Sequence, residues 1–176
     1  CYSDSMPKVL VVIAQEGYQD RELEGTRNGL LEAGFEVILA CKEAGPCTGS
    51  IGGSEEAAVA LRDVDVRDYD RIAFVGGPGA GAYSSDPDAL HLAQETVRAE
   101  KPLGAICIAP TILAKAHVLE GKRATVWDSE GKQAGILEQY GAEYTGESVT
   151  VDGMIVTANG PDAAIEFGKT FASRSW

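Results

Sequence analysis

Short, continuously apolar segments that alternate with helix-like segments most constrain the fold of this chain. The first, "PKVLVVIA" at residues 7–14, lacks the polar alternation of a strand with one face in water. Such a run is typical of a central parallel strand that is covered on both faces. In the next segment, "DRELEGTRNGLLEAG", Leu23, Leu30 and Leu31 lie on one helical face and Gly34 marks the helix end. Together these segments predict the first strand and helix of an α/β fold.

The same alternation continues to the end of the chain. Further strands are predicted at "FEVILA", "YDRIAFVGG", "PLGAIC" and "RATVW", and "ESVTVDGMIVTA" predicts a hairpin that turns at Asp152 and Gly153. Helices are predicted at "DPDALHLAQETVRAE", "APTILAKAHVLEG", "GKQAGILEQYGA" and "PDAAIEFGKTFASRS". The glycine-rich "GPCTGSIGGSEEAAVALRDVDV" predicts only short extended pieces. This order predicts a doubly wound α/β sandwich with a mostly parallel central sheet.

The length and composition suit a single domain. A chain of 176 residues, of which 44% are hydrophobic, can fill one core. We therefore expect one domain over residues 6–176. The opening "CYSDS", residues 1–5, is expected to be a remnant of cloning or a frayed tail, with a lipid-modified Cys1 as the alternative.

Charge and cysteine usage exclude several kinds of partner. A formal net charge of −12 argues against binding to nucleic acid or to anionic membranes, because both require a basic surface. The early run "VLVVIA" is too short to span a bilayer, and no signal-peptide pattern is visible. The thiols are expected to stay free in a reducing cytoplasm. With two histidines and no metal-like spacing, we expect neither metal nor cofactor in a chain whose cysteines are Cys1, Cys41, Cys47 and Cys107.

Cys107 is the first candidate for a functional site. It lies between the predicted strand "PLGAIC" and the predicted helix that follows. Ligands bind beyond the carboxyl ends of strands in open α/β sheets, and a helix N-terminus there lowers a thiol pKa. "AICIA" matches a nucleophile elbow only loosely. The alternative is that Cys107 is a small buried core residue.

The glycines of "VGGPGAGA", residues 75–82, are a second candidate. Gly76 and Gly77 end a predicted strand, where backbone N–H groups can turn toward a ligand and form an oxyanion hole. The segment also matches the dinucleotide pattern GxGxxA, but the next predicted strand does not end at an acid that could hold ribose. A tight turn without a binding role is the further alternative.

Glu22 is the third candidate. Asp20 is predicted to cap the first helix, and Glu22 falls in its first turn, where the helix dipole favours a carboxylate. The loop after the first strand also opens at the carboxyl edge of the sheet. Glu22 therefore either complements the dipole or faces Cys107.

Taken in order, four segments resemble the ThiJ/PfpI superfamily, which includes DJ-1-like deglycases. They are "KVLVVIAQEGYQDRELEG", "DYDRIAFVGGPGAG", "KPLGAICIAPTILAKAHVLEGKRATVW" and "VDGMIVTANGPDAAIEFG". The resemblance implies a flavodoxin-like fold, with Cys107 as the nucleophile and Glu22 as its neighbouring glutamate. It further implies that the backbone amides of Gly76, Gly77 and Ile108 lie beside the sulfur.

This chain departs from the family pattern in its histidines. Ile108 stands where peptidase-type members have a histidine, and Trp127 stands where DJ-1-like relatives can carry one. His91 and His117 are expected to be surface or packing residues. Glu22 is then the proton handler. Because a thiolate and a carboxylate in contact repel, we expect protonated Glu22 beside a Cys107 thiolate.

These features predict a cofactor-free, cysteine-dependent protein. The favoured activity is a glutathione-independent lyase or hydrolase acting on small dicarbonyls, of glyoxalase or deglycase type, in a stress response. A redox sensor or chaperone that uses Cys107 oxidation is the alternative, and a peptidase is third because Ile108 replaces the histidine. The expected partners are a carbonyl substrate or oxidant and a second copy of the chain, in a homodimer or larger homo-oligomer. Trp127 and Pro110 are expected to line the site.

Overall fold

A seven-stranded, mostly parallel sheet forms the centre of the protein in a computed structural model that describes residues 6–175. The strands are β1 Lys8–Val12, β2 Glu16–Tyr18, β3 Glu36–Cys41, β4 Gly45–Gly49, β5 Ser54–Ala57, β6 Val59–Ala60, β7 Arg71–Phe74, β8 Leu103–Ile106, β9 Arg123–Ala124, β10 Glu143–Tyr144, β11 Val149–Asp152 and β12 Ile155–Ala158. The α-helices are α1 Asp20–Glu32, α2 Pro87–Arg98, α3 Pro110–Lys115, α4 Lys132–Gln139 and α5 Ala164–Ser173.

The order of the central sheet confirms the predicted α/β fold. It runs β11-β12-β8-β7-β1-β3-β6, and each neighbouring pair is parallel except β11 and β12. The antiparallel pair is the predicted hairpin, in which Asp152 pairs with Ile155 across the turn. The expected tail, residues 1–5, lies outside the described residues.

The first strand shows how the apolar runs produce this architecture. Val9 and Val11 pack into one buried cluster with side chains of α1 and α5, whereas Leu10 and Val12 pack into a second cluster with side chains of α2, α3 and α4. Successive side chains of a strand point to opposite faces, so a run without polar residues needs cover on both faces. The helices provide this cover.

Close packing of α1 against α5 depends on residues without a side chain. An added Cβ at Gly29 would lie 2.5 Å from the backbone carbon of Gly168. Leu30 is fully buried, but Leu31 is 51% exposed, which corrects the predicted apolar face of this helix. Consecutive helical residues are about 100° apart, so the buried face of α1 includes Leu30 and leaves Leu31 toward solvent.

Two smaller sheets lie outside the central one. The glycine-rich segment forms β4 and β5, which join β2 in a three-stranded sheet, as the predicted short extended pieces. The predicted strand "RATVW" is extended only at Arg123–Ala124, which pairs with β10. The backbone N–H of Trp127 instead donates to the carbonyl of Cys107, just beyond β8, so this segment crosses the sheet edge.

Two of the cysteines, at the end of β3 and within β4, are paired. Cys41 ends β3 and Cys47 lies in β4, and a disulfide joins them. This corrects the prediction that all thiols are free, which rested on the absence of a disulfide-like spacing. The chain reverses between the two strands and brings two buried side chains together. Cys107 is the free cysteine among residues 6–175.

The described part of the chain has neither a membrane-spanning helix nor a cluster of metal-binding side chains. Within residues 6–175 no helix is long and apolar enough to cross a bilayer. The same residues contain no group of three or more His, Cys, Asp or Glu side chains that could hold a metal ion.

The contact between α1 and α5 can be tested with a matched pair of glycines. We expect Gly29→Ala to lower the free energy of unfolding by about 1–3 kcal/mol, because the new methyl group meets backbone rather than a movable side chain. Gly135→Ala in α4, where an added Cβ meets nothing within 4 Å, should instead stabilise the protein by about 0.5–1 kcal/mol. Urea unfolding of both variants provides the comparison. Equal effects would show that the packing of α1 on α5 is not tight.

Candidate active site

Cys107 follows β8 directly and is held in an unusual backbone conformation. Its φ of 65° lies in the left-handed region that residues other than glycine seldom adopt. Its N–H donates to the carbonyl of Ala158 at 2.9 Å, and its carbonyl accepts from the N–H of Trp127 at 2.8 Å. Such a conformation costs about 1–3 kcal/mol and persists only where surrounding structure holds it. These two bonds hold the turn and direct the half-buried thiol over the carboxyl edge of the sheet.

The helix after Cys107 is short. α3 begins at Pro110, which is buried in its first turn, where the missing N–H of proline is tolerated. The predicted strand-to-helix turn therefore exists. Pro110 is buried, and no contact described for it tests whether it lines the site. That role therefore stays a prediction.

Glu22 is fully buried in the first turn of α1. Its Oε1 accepts a hydrogen bond from the N–H of Gly76 at 3.0 Å. Its Oε2 is also buried and has no partner of hydrogen-bond geometry among the described residues. The carboxyl is nevertheless near enough to the Cys107 thiol for each group to shift the pKa of the other. The structure thus places Glu22 against Cys107 rather than at the helix surface.

Burial dominates the protonation of this pair. It raises the pKa of Glu22 from 4.5 to about 7, although the Cys107 thiol, the Gly76 amide and the charge of Arg21 oppose the shift. Burial also raises the pKa of Cys107, to about 12, with the Glu22 carboxylate adding to the increase. Between these pKa values the pair holds one proton and one negative charge.

The direction of the thiol shift corrects the sequence-based expectation of a lowered pKa. The short helix and nearby amides do favour thiolate, but desolvation and a neighbouring carboxylate outweigh them. These shifts favour a Cys107 thiol beside a Glu22 carboxylate over the expected thiolate beside a protonated acid. The two forms differ by the movement of a single proton.

The three predicted amides have different partners. The N–H groups of Ile108 and Gly77 act on the Cys107 sulfur and lower its pKa. The N–H of Gly76 is used by Glu22 instead. A Cβ at Gly76 would lie 2.6 Å from the Cβ of Cys107 and 2.7 Å from Oε1 of Glu22, so only glycine fits between them. Gly77 has a φ of 120°, which also favours glycine.

The start of α1 is organised differently from the prediction. Gln19, not Asp20, is the N-cap, and its side-chain oxygen accepts from the N–H of Arg21 at 2.8 Å. Asp20 instead accepts from the N–H of Gly53 at 2.6 Å and from that of Ile51 at 3.3 Å. Asp20 therefore ties the glycine-rich loop to the helix that carries Glu22. In the sequence, the glycines of "TGSIGGS" could have indicated this contact, because glycine lets a carboxylate approach the backbone.

Neither histidine is placed as a base for the thiol. His91 is exposed on α2, and its Nε2 lies 3.8 Å from the carboxylate of Glu95. His117 is exposed and packs edge-on against the ring of Tyr140. Both have the surface or packing roles that the sequence predicted. Trp127, whose N–H donates to the carbonyl of Cys107, is 44% exposed.

Comparison with known proteins shows likeness across nearly the whole chain. The profile of the DJ-1/PfpI family matches residues 7–174. The chain is 31% identical to the "Putative cysteine protease YraA" of Bacillus subtilis, over 93% of this chain and 96% of that protein. It is 28% identical to a glutathione-independent glyoxalase of Caenorhabditis elegans, over 90% and 83%. It is 30% identical to a deglycase of Thermococcus kodakarensis, over 88% and 90%.

A solved structure supports the same relationship. The crystal structure of a ThiJ/PfpI domain protein from Brachyspira murdochii superposes with a TM-score of 0.90 at 26% identity. The match covers 96% of this chain and 95% of that chain. The likeness therefore includes the strand order as well as the sequence.

The burial of Glu22 predicts a pH dependence of stability. Its folded pKa of about 7 exceeds its ordinary 4.5, so the folded state binds an extra proton between these values. The stabilisation is complete below 4.5 and is lost as the pH rises through 7, by roughly 1–3 kcal/mol. Glu22→Gln should remove this dependence and be at least as stable as wild type at pH 8, as measured by urea unfolding at pH 5 and pH 8.

The control for this experiment is Glu24→Gln, at an exposed position of the same helix. It should leave the pH dependence in place. A Glu22→Gln variant that is about 0.3–1 kcal/mol less stable at pH 8 would instead indicate simple complementation of the helix dipole.

The same variant separates thiol reactivity from proton transfer. Without the Glu22 carboxylate the pKa of Cys107 should fall, so iodoacetamide should label Cys107 several-fold faster at pH 8 in Glu22→Gln than in wild type. Peptide mapping distinguishes Cys107 from Cys1, and Cys41 and Cys47 should label only after reduction. Slower labelling of Cys107 in the variant would show that Glu22 supports the thiolate instead.

Proposed function

The chain belongs to the DJ-1/PfpI family, and we propose that it is a cysteine-dependent enzyme acting on small reactive dicarbonyls, of glyoxalase or deglycase type. The observation that carries this proposal is the contact between the Cys107 thiol and a fully buried Glu22 carboxyl. Relatives named glyoxalase and deglycase support the reaction class. A pKa near 7 suits Glu22 to accept and return a proton at neutral pH.

The first step is addition to the aldehyde. As the Cys107 sulfur attacks the aldehyde carbon, its proton passes to Glu22, and the carbonyl electron pair moves to oxygen. Glu22 then protonates this oxygen, which gives a hemithioacetal. The amides of Gly77 and Ile108 offset charge on the sulfur before attack. Once Glu22 holds this proton, its otherwise unpaired Oε2 can donate it to the substrate oxygen.

The second step is a proton shift along the substrate. Glu22 removes the proton from the carbon bonded to sulfur and returns it to the adjacent carbon, which was the second carbonyl carbon of the substrate. The proton of the hydroxyl group moves to the oxygen on that adjacent carbon. The product is a thioester of a hydroxy acid. Water cleaves the C–S bond, restores the thiol and releases lactate when the substrate is methylglyoxal. The overall change adds one water and needs no oxidant, reductant or cofactor.

A redox role for Cys107 is the second candidate. Oxidation to a sulfinate would place two oxygens beside Glu22, and its unpaired, buried Oε2 could donate a proton to one of them. This arrangement would support a sensor or chaperone. A peptidase is disfavoured, because the residue after the nucleophile is Ile108 and neither histidine is placed near Cys107.

Assembly and compartment belong to the same proposal. We retain a homodimer or larger homo-oligomer, a cytoplasmic location, and a small carbonyl compound or oxidant as the other partner. The net charge of −12 argues against nucleic-acid binding, because that binding needs an excess of Lys and Arg.

Turnover of methylglyoxal tests the proposal directly. Purified protein without glutathione should form lactate, Cys107→Ala should form none, and Glu22→Gln should be slower by about 100-fold or more. Glu24→Gln serves as the control of equal charge change and should retain activity. Casein should not be hydrolysed.

Two results would contradict the enzymatic proposal. One is lactate formation that survives Cys107→Ala. The other is a wild-type protein that forms no lactate but gains two oxygen atoms at Cys107 with dilute peroxide, as seen by mass spectrometry. The latter result would favour the redox role.

A further inference from the structure

We propose that Trp127 determines substrate choice, as an aromatic wall that favours uncharged dicarbonyls with an aromatic substituent over small or anionic ones. The inference rests on the proposed function and specifies its substrate class. It concerns binding rather than proton transfer, because the indole N–H donates hydrogen bonds but cannot accept a proton.

The backbone places Trp127 beside the nucleophile. Its N–H donates to the carbonyl of Cys107 at 2.8 Å, and the N–H of Cys107 donates to Ala158 at 2.9 Å. The ring of Trp127 lies against the next turn on that side, since a Cβ at Gly160 would be 4.0 Å from its Cδ1. Both segments that hold Cys107 therefore also position the indole.

The ring is unusually uncovered for its size. Trp127 is 44% exposed, although a side chain as large as tryptophan is ordinarily well buried. Within residues 6–175 its indole N–H makes no hydrogen bond. An exposed aromatic face next to a reactive group offers stacking to a flat substrate, and the free N–H offers a donor to a carbonyl. Ile108, the residue after Cys107, is half-buried and packs against the same apolar cluster as Cys107.

Charge at the site works against anionic substrates. The Glu22 and Cys107 pair carries one negative charge above neutral pH. Arg21 is the cation whose charge reaches Glu22, but its guanidinium is paired with Asp162 at 2.8 Å. A carboxylate or phosphate on the substrate would therefore be repelled by this negative charge, while Arg21 is already paired with Asp162. A neutral aromatic substituent meets the indole instead.

The test compares kcat/KM for three substrates: phenylglyoxal, methylglyoxal and 4-carboxyphenylglyoxal. Wild type should prefer phenylglyoxal to methylglyoxal by roughly tenfold, which is the scale of one aromatic contact. It should also prefer phenylglyoxal to the carboxylated analogue. Trp127→Ala should collapse the ratio of phenylglyoxal to methylglyoxal, and Trp127→Phe should retain most of it. Ile165→Ala, at an apolar position 67% exposed on α5, is the matched control and should change neither ratio nor rate.

A binding measurement separates failure of this inference from failure of the proposed function. In Cys107→Ala with Trp176→Phe, Trp127 is the sole tryptophan of the chain. Phenylglyoxal should quench its fluorescence with saturation, and methylglyoxal should do so far less. If no substrate is turned over but this quenching occurs, the proposed function fails and the aromatic site stands. Turnover with equal ratios in wild type and Trp127→Ala, or absence of saturable quenching, overturns the inference.

Discussion

The hydrogen bond from Gly76 to the buried carboxyl of Glu22 is the contact on which the candidate site depends. A carboxyl without water is stable only when its oxygens find donors or when it holds a proton, and Gly76 supplies a single donor. The other oxygen has no such donor, and burial raises the pKa of the carboxyl to about 7, so that it readily takes up a proton. Burial thus turns a helix-end glutamate into a group that exchanges protons with sulfur.

Close backbone contacts make this burial possible. α1 can carry Glu22 into the protein because its glycines let it pack directly on α5, and Gly76 leaves space between Glu22 and Cys107. The backbone hydrogen bonds of Cys107 with Ala158 and with Trp127 hold its left-handed conformation. Small residues and backbone bonds, rather than bulky packing, therefore set the geometry at the carboxyl edge.

The coupled pair explains why one site is compatible with different chemistry in this family. A thiol beside a carboxylate, and a thiolate beside an acid, differ only in where one proton lies. Addition to a carbonyl uses the passage between these forms, whereas oxidation of sulfur uses the same acid to stabilise new oxygens. We propose that Trp127, which is bonded through its backbone to Cys107 and is 44% exposed, then decides which partner reaches the sulfur.

The sequence by itself determined the α/β class, the covered strands and the positions of Cys107 and Glu22 at one sheet edge. Apolar periodicity and chain order encode which segments are buried and where they end.

Other features were decided only by the tertiary structure. Gly76 serves Glu22 rather than sulfur, Asp20 binds the glycine-rich loop, Cys41 joins Cys47, and burial reverses the expected shift of the thiol pKa. The first two depend on partners far apart in the chain, 54 residues for Glu22 and Gly76 and 33 for Asp20 and Gly53. The last depends on desolvation by the assembled core. A local pattern can show that a group is a donor, an acceptor or an acid, but only packing decides which partner it meets and how much water it keeps.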